Sequence, residues 1–173
     1  ADADETVMAW KLALEEHRPV ALVLSRQNIR SLKTISTSRR EEAAQIAKGG
    51  YVVRDAAKPA AVLIASGSEV STLSDGADLL AAEGIPVRVV SVPSEGLFRD
   101  QPRSYQESVL PAGVPRYGMT SGLEVNLRGL VGDAGMIHGF NHFGYSAPFK
   151  VLDEKFGYNG ETVAAEVKKM LGR

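Results

Sequence analysis

The sequence predicts an α/β protein whose main domain holds a mixed, largely parallel sheet. From residue 51 onward, short apolar runs typical of buried strands alternate with amphipathic stretches typical of helices. Strands separated by helices form βαβ units, in which helices cover both faces of the sheet. The expected architecture is a three-layer, Rossmann-like C-terminal domain over residues 51–173, preceded by an αβ remnant at 1–27 and an interdomain linker at 28–50.

Composition and charge restrict the possible classes of protein. A chain of 173 residues can bury a substantial core, and its net charge of -1 gives no argument for nucleic acid binding. The sequence contains no cysteine, which excludes disulfides and thiolate chemistry and is compatible with a reducing compartment. It also has no apolar run of about 18 residues. We therefore expect a protein without nucleic acid or membrane partners.

The N-terminal stretch predicts one helix followed by one strand. Met8 and Leu12 recur at helical spacing, with Asp4 as a candidate N-cap and Glu5 in the first turn. The apolar run at residues 20–24 is typical of a buried strand. Because a single αβ unit cannot bury its own apolar face, the chain is expected to begin inside a larger protein.

Arg26 directly follows the predicted strand, in the sequence Ser-Arg-Gln-Asn at residues 25–28. Ligands of open α/β sheets bind at the carboxyl ends of the strands, and a guanidinium group can donate two parallel hydrogen bonds to a phosphate. Arg26 is therefore a candidate anion-binding residue. Because charged residues lie mostly at the surface, a solvated loop arginine or a structural ion pair is the commoner explanation for such a residue.

The linker carries a local excess of positive charge. Residues 18–48 hold five more basic than acidic side chains, and residues 31–38 are rich in serine and threonine, as exposed connections are. The pattern at residues 41–48 predicts a short helix. Two interpretations of the basic stretch remain open: a solvated interdomain linker, or a funnel that raises the local concentration of anionic ligands.

The C-terminal domain is predicted to contain four strands, each an apolar run bounded by turn residues. They cover residues 60–65, 87–92, 115–120 and 136–140. The helix after the first strand is predicted to begin at Ser68 and to end at Gly84, a left-handed cap. The other predicted helices lie within residues 97–109, 123–130, 147–156 and 161–171.

The loop at residues 65–69, Ala-Ser-Gly-Ser-Glu, leads from a strand into a helix. Free backbone N–H groups at a helix N-terminus can bind an anion. However, the loop lacks both the dinucleotide and the P-loop glycine patterns, and Glu69 would place a carboxylate where a phosphate should bind. Ser68 and Glu69 are therefore interpreted as capping residues.

His138 and His142 are four residues apart, a spacing found in metal sites on helices. Gly139 between them argues against a helix, and zinc requires a third ligand that the neighbouring sequence does not offer. We therefore predict no metal site. His142 is expected to pack, with Phe143 and Tyr145, in a turn ahead of the next helix.

Several segments together resemble transketolase. The predicted N-terminal helix and strand, with the Ser-Arg-Gln-Asn sequence, are similar to the end of the pyrimidine-binding domain of that family. The rest of the chain is similar to the family's C-terminal region in residue type and order. The matching segments are residues 4–6, 10, 18–28, 48–52, 65–70, 90–94, 98–101 and 142–148.

The resemblance implies an activity for the parent protein. Transketolases move a two-carbon ketol unit between sugar phosphates in the pentose phosphate pathway. They use thiamine diphosphate anchored by a divalent cation, Mg or Ca, and the resemblance implies a cytoplasmic homodimer. Arg26 matches the family's phosphate-binding arginine, so it is the one substrate-binding residue that the resemblance assigns.

The resemblance also implies that this chain lacks the catalytic apparatus. The family's Gly-Asp-Gly diphosphate motif and the glutamate that activates the aminopyrimidine belong to earlier parts of those enzymes, and neither occurs here. We therefore expect no catalytic, cofactor-binding or metal-binding residues, no cofactor on the isolated chain, and no turnover. Residues 51–173 are expected to support the dimer. Residues 1–50 are expected to be the least protected against hydrogen exchange.

Two alternatives remain open. A relative in the same superfamily, such as dihydroxyacetone synthase or the decarboxylase subunit of a 2-oxoacid dehydrogenase, would share the fold. The Ser-Arg-Gln sequence at residues 25–27 and the turn at 143–148 favour transketolase. A non-catalytic α/β binding or oligomerisation module belongs to a different class, and it would exist naturally at this length.

Overall fold

The computed structural model describes residues 1–173 and contains one five-stranded sheet with helices around it. The strands are β1 (Tyr51–Arg54), β2 (Ala61–Ala65), β3 (Val87–Ser91), β4 (Arg116–Met119) and β5 (Met136–His138). The helices are α1 (Ala3–Glu15), α2 (Arg39–Ala43), a 3-10 helix (Ala44–Lys48), α3 (Glu69–Ala82), α4 (Glu95–Arg99), α5 (Arg103–Val109), α6 (Val125–Val131), α7 (Phe149–Phe156) and α8 (Gly160–Met170). No helix has both the length and the apolar character needed to cross a membrane.

The strand order β1-β3-β2-β4-β5 confirms the predicted mixed, largely parallel sheet. Strand β2 pairs in parallel with β3 and β4, β4 pairs in parallel with β5, and β1 pairs antiparallel with β3. The chain moves from β2 to β3 on one side and then places β4 on the other side of β2. The β2–β4 junction is therefore a topological switch point, where the loops diverge and leave a crevice at the carboxyl edge.

Strand β2 is buried on both faces, as expected of the middle layer of three. Leu63 faces a core shared with α3 and α8, where it joins Leu73 and Val163. Val62 and Ile64 face the opposite core, to which α4, α5 and α6 contribute. All five side chains are fully buried, and each such side chain contributes about 1.5–3 kcal/mol to stability.

The N-terminal unit differs from its prediction in two ways. Helix α1 begins two residues earlier, because Asp2 rather than Asp4 is the N-cap and accepts a hydrogen bond from the Glu5 N–H at 3.0 Å. The predicted strand at residues 20–24 is wrong: these residues form neither helix nor strand, and Val23 is 95% exposed. A strand requires a hydrogen-bonding neighbour, and none of the five strands pairs with this segment.

Candidate ligand cleft at the carboxyl edge of the sheet

A cleft of about 1520 Å³ opens along the carboxyl edge of the parallel strands. Its floor is formed by the loops that follow the strands, and its opposite wall is formed by α1 and the irregular segment that follows it. The floor includes Ser66, Gly67, Ser68, Glu69, Pro93, Ser94, Ser121, Phe140, Asp153 and Tyr158, and the wall includes residues 18–25 and 27–29. The two parts of the chain that the sequence assigns to different domains therefore border one cleft.

Arg26 lies beside this cleft but does not line it. Its neighbours Ser25 and Gln27 do line the cleft, whereas the Arg26 side chain is exposed and has no hydrogen bond or ion pair. The structural ion pair considered for this residue is therefore not formed. The guanidinium group is free to meet an anion that approaches the rim.

Two other basic residues of the linker, Arg30 and Lys33, are already paired. Arg30 donates to the Ser71 carbonyl at 3.1 Å and pairs with Asp75, and Lys33 Nζ lies 3.2 Å from an Asp78 oxygen. These pairs fasten the linker to α3, and at exposed sites each contributes about 0–1 kcal/mol. The pairing supports a solvated linker and leaves less free charge for an anion funnel.

The floor of the cleft at the switch point is acidic. Burial raises the pKa of the Glu69 carboxyl, although hydrogen bonds from its own backbone N–H and from the Ser121 and Ser68 side chains oppose this shift. Burial also raises the pKa of the Asp153 carboxyl, and it raises the pKa of Tyr158 to about 12, with the charges of both carboxylates adding to the effect. In their ionised form these carboxylates favour hydroxyl or cationic ligands over phosphate.

The predicted capping role is wrong for Ser68, whereas Glu69 is the acidic residue of the first turn of α3. Glu69 places its carboxyl near its own N–H at the start of α3, where a phosphate would otherwise bind. Ser68 occupies the N-cap position, but its backbone is already helical and its side chain accepts no capping hydrogen bond. The helix N-terminus is therefore covered by a carboxylate of the chain itself.

The two histidines of the metal-like pair have separate partners. His142 packs in an aromatic cluster, with ring centroids 4.2 Å from Phe140 and 5.3 Å from Phe156, and Tyr145 joins the cluster. The expectation that Phe143 packs in the same turn is wrong, because its side chain is 96% exposed. All residues of the loop at 141–148 are exposed, and Phe143 makes none of the ring contacts that hold His142 and Tyr145 in the cluster.

His138 instead joins three elements of the C-terminal domain. Its Nδ1 lies 3.2 Å from both carboxylate oxygens of Glu166 on α8, and its Nε2 lies 2.9 Å from the Phe156 carbonyl oxygen at the end of α7. The Tyr117 hydroxyl donates to the same glutamate at 2.7 Å. Because a carboxylate and a carbonyl can only accept, both ring nitrogens of His138 must carry protons, so the imidazolium is the favoured form.

This arrangement predicts a pH-dependent contribution to stability. The hydrogen bond to Glu166 raises the pKa of His138 above its ordinary value of 6.5, outweighing burial. A group whose pKa is raised in the folded state stabilises the folded protein fully at pH values below its unfolded-state pKa. This stabilisation is lost as the pH rises through the folded-state pKa. The stability difference between wild type and His138→Gln, measured by urea unfolding, should therefore be larger at pH 6 than at pH 9. For the control variant His142→Gln, the stability difference from wild type should vary less between the two pH values. An equal stability difference at pH 6 and pH 9 for His138→Gln would contradict the prediction.

A buried polar network, which the sequence did not reveal, attaches α1 to the sheet. Arg39 Nε donates to Asp2 at 2.7 Å, and its Nη2 donates to the Tyr51 hydroxyl at 2.7 Å. The Tyr51 hydroxyl in turn donates to Glu5, which also accepts from the Ser91 hydroxyl, both at 2.7 Å. Although burial opposes ionisation of Asp2, hydrogen bonds from the Glu5 amide, Arg39 and the Leu32 amide hold its pKa below the usual range. The members of this network come from four separate helices and strands and from the irregular segment that contains Leu32, so no local pattern signals them.

The fold and the cleft define a class: a doubly wound α/β domain joined by a buried polar network to an N-terminal helix. A family model described as the transketolase-like C-terminal domain matches residues 49–159. The chain belongs to the transketolase family.

Individual relatives agree with this assignment. A transketolase of Cupriavidus necator, described as the plasmid form, is 43% identical over 171 residues, which cover 98% of this chain and 25% of that protein. Solved transketolase variants from Pichia stipitis, in complex with xylulose 5-phosphate, share 33% identity with a TM-score of 0.89 over 99% of this chain and 24% of theirs. A split-gene transketolase, solved as an inactive β4 tetramer, shares 25% identity with a TM-score of 0.72 over 99% of this chain and 56% of its own. The chain thus spans about a quarter of the length of the curated relatives it matches.

Proposed function

We propose that the protein containing this chain is a transketolase, a transferase that moves a two-carbon ketol unit between sugar phosphates in the pentose phosphate pathway of the cytoplasm. The observation that carries the proposal is the similarity to transketolases over 98% of the chain. In this proposal residues 1–27 complete the pyrimidine-binding domain, residues 28–50 form the interdomain linker, and residues 51–173 form the C-terminal domain.

Thiamine diphosphate with a divalent cation, Mg or Ca, would supply the carbanion chemistry of the whole enzyme. The residues of this chain do not fit the diphosphate, because the crevice at the strand ends is lined by Glu69 and Asp153, whose carboxylates would repel it. We therefore assign cofactor binding to other parts of the enzyme. The isolated chain is proposed to be inactive.

The role proposed for Arg26 is to bind the terminal phosphate of the sugar substrate. Its guanidinium group is exposed, carries no competing ion pair and lies between two residues that line the cleft. Arginine can donate two parallel hydrogen bonds to a phosphate, and such charge-assisted contacts contribute about 1.5–3 kcal/mol. The contact does not involve the reacting carbons, so it should act on binding more than on the chemical step.

In the full-length enzyme, Arg26→Gln is expected to raise KM for sugar phosphates roughly 10- to 100-fold, with little change in kcat. Steady-state kinetics with a phosphorylated and an unphosphorylated ketol donor would measure this, since only the first should be affected. Arg40→Gln is a matched control, because Arg40 is another exposed arginine without an ion pair. An unchanged KM for the sugar phosphate in the Arg26 variant would refute the assignment.

The C-terminal domain is proposed to support a homodimer. Exposed apolar side chains in and after the loop that precedes α7, among them Phe143 and Tyr145, offer a surface for association. The same surface would serve the second candidate, a non-catalytic binding or oligomerisation module. Sedimentation of the chain at high concentration tests the role in self-association, and a monomer throughout would count against it.

A further inference from the structure

Asp2 connects the two stretches of chain that flank Arg26. One carboxylate oxygen accepts a hydrogen bond from the Glu5 N–H at 3.0 Å, and the other accepts from the Leu32 N–H at 3.1 Å. Glu5 precedes Arg26 and Leu32 follows it. A single carboxylate therefore closes the loop of chain on which Arg26 lies, and this carboxylate is buried.

The Asp2 carboxylate is itself held in place from the central sheet. Arg39 reaches Asp2 at 2.7 Å and the Tyr51 hydroxyl on β1 at 2.7 Å. The Ser91 hydroxyl on β3 fixes Glu5, the other end of the closure. The Glu5 end of the loop is thus hydrogen-bonded to side chains of β1 and β3. The Leu32 end is connected to β1 through Asp2 and Arg39.

The segment between the two ends has few other restraints. Residues 16–32 contain no helix or strand, and most of their side chains are exposed. The one long-range side-chain contact close to Arg26 is made by Arg30 with Ser71 and Asp75, and both charged partners are half exposed. Closing the loop reduces the number of positions that Arg26 can occupy, and a preorganised group loses less entropy when it binds.

We propose that Asp2 is a positioning residue for Arg26: by holding the Glu5 and Leu32 amides together, it sets where the guanidinium group stands at the rim of the cleft. This inference rests on the proposed function, in which Arg26 binds the substrate phosphate. Asp2 itself is buried and hydrogen-bonded within the network, so its proposed role is to position Arg26 and not to bind the phosphate.

The test uses Asp2→Asn in the full-length enzyme, alone and combined with Arg26→Gln. Asparagine keeps the shape but loses the charge that binds Arg39. The single variant should raise KM for a sugar phosphate about tenfold while leaving KM for an unphosphorylated ketol donor and kcat unchanged. In the Arg26→Gln background the same change should add nothing, because a positioning residue acts only through the residue it positions.

The control is Glu166→Gln, which removes the charge of another partly buried carboxylate that joins distant residues, Tyr117 and His138, but touches nothing in residues 16–32. It should leave the KM for sugar phosphate unchanged. If Asp2→Asn impairs folding, Tyr51→Phe keeps the ring and removes the hydroxyl that connects Arg39 to Glu5. It should produce the same selective rise in KM, together with faster hydrogen exchange in residues 16–32.

The positioning role of Asp2 and the phosphate-binding role of Arg26 predict different results. Equal losses with both donors, or an Asp2 effect that persists in the Arg26→Gln background, would overturn the positioning role while leaving Arg26 as the phosphate ligand. No effect of Arg26→Gln by itself would overturn the phosphate assignment, and the positioning role with it. A selective effect that disappears in the double variant supports both.

Discussion

Replacing Gly49 with alanine is expected to lower the free energy of unfolding by about 2–5 kcal/mol. Gly49 ends the 3-10 helix in the left-handed region, with φ at 78°, which costs a residue with a side chain about 1–2 kcal/mol. A methyl group there would also overlap the Phe98 amide nitrogen and the Ser94 carbonyl oxygen, both backbone atoms that cannot turn aside. Urea unfolding followed by circular dichroism would measure the loss.

Gly113→Ala is the matched control for this substitution. Gly113 has nearly the same backbone angle, with φ at 75°, but open space where a side chain would stand. It should lose only about 1–2 kcal/mol, the cost of the left-handed backbone. Equal losses at the two positions would show that the close approach of Gly49 to residues 94–98 does not matter for stability.

The substitution Leu63→Ala is expected to cost about 2–5 kcal/mol. Leu63 lies in β2, the strand with a neighbour on each side and a core on each face, and its side chain is fully buried. The surrounding strands and helices cannot all move inward, so a cavity should remain. Chemical unfolding of the purified variant measures the change.

Leu79→Ala provides the comparison for Leu63. Leu79 lies on α3 with 40% of its surface exposed, and alanine has the higher helix propensity. Its effect should stay within about 1 kcal/mol. If Leu79→Ala lowered the free energy of unfolding as much as Leu63→Ala does, the outer face of α3 would have to pack against apolar groups, which it does not do in this structure.

Much of the C-terminal domain could be predicted because its strands and helices have recognisable patterns of apolar residues in the local sequence. Helix α3 shows this well: Val70, Leu73, Ala77 and Leu80 recur at helical spacing, and all four are buried. Strand β2 is a continuous apolar run, as a central strand covered on both faces should be. In such elements the spacing of apolar residues in the sequence directly reflects which side chains face the core.

The failures have a different physical origin. Residues 20–24 have the composition of a buried strand, but composition reports a preference and not the presence of a partner strand. The closure made by Asp2 was invisible for a related reason, since its partner Leu32 is 30 positions away and Arg39 is 37 positions away. The position of Arg26 after an apolar run makes it a candidate anion-binding residue, but only the resemblance to a family motif assigns it to a sugar phosphate, because an exposed side chain leaves no periodic signal.

The two edges of the sheet have a consequence for the solution behaviour of the protein. Strand β5 is three residues long, and β1 has an irregular register between Val52 and Arg54. Short or irregular edge strands are poor templates for intermolecular β-pairing, the contact by which exposed sheet edges aggregate. Self-association of this protein should therefore occur through side-chain surfaces and remain reversible on dilution, whereas mutations that lengthen or regularise either edge strand would favour irreversible aggregation.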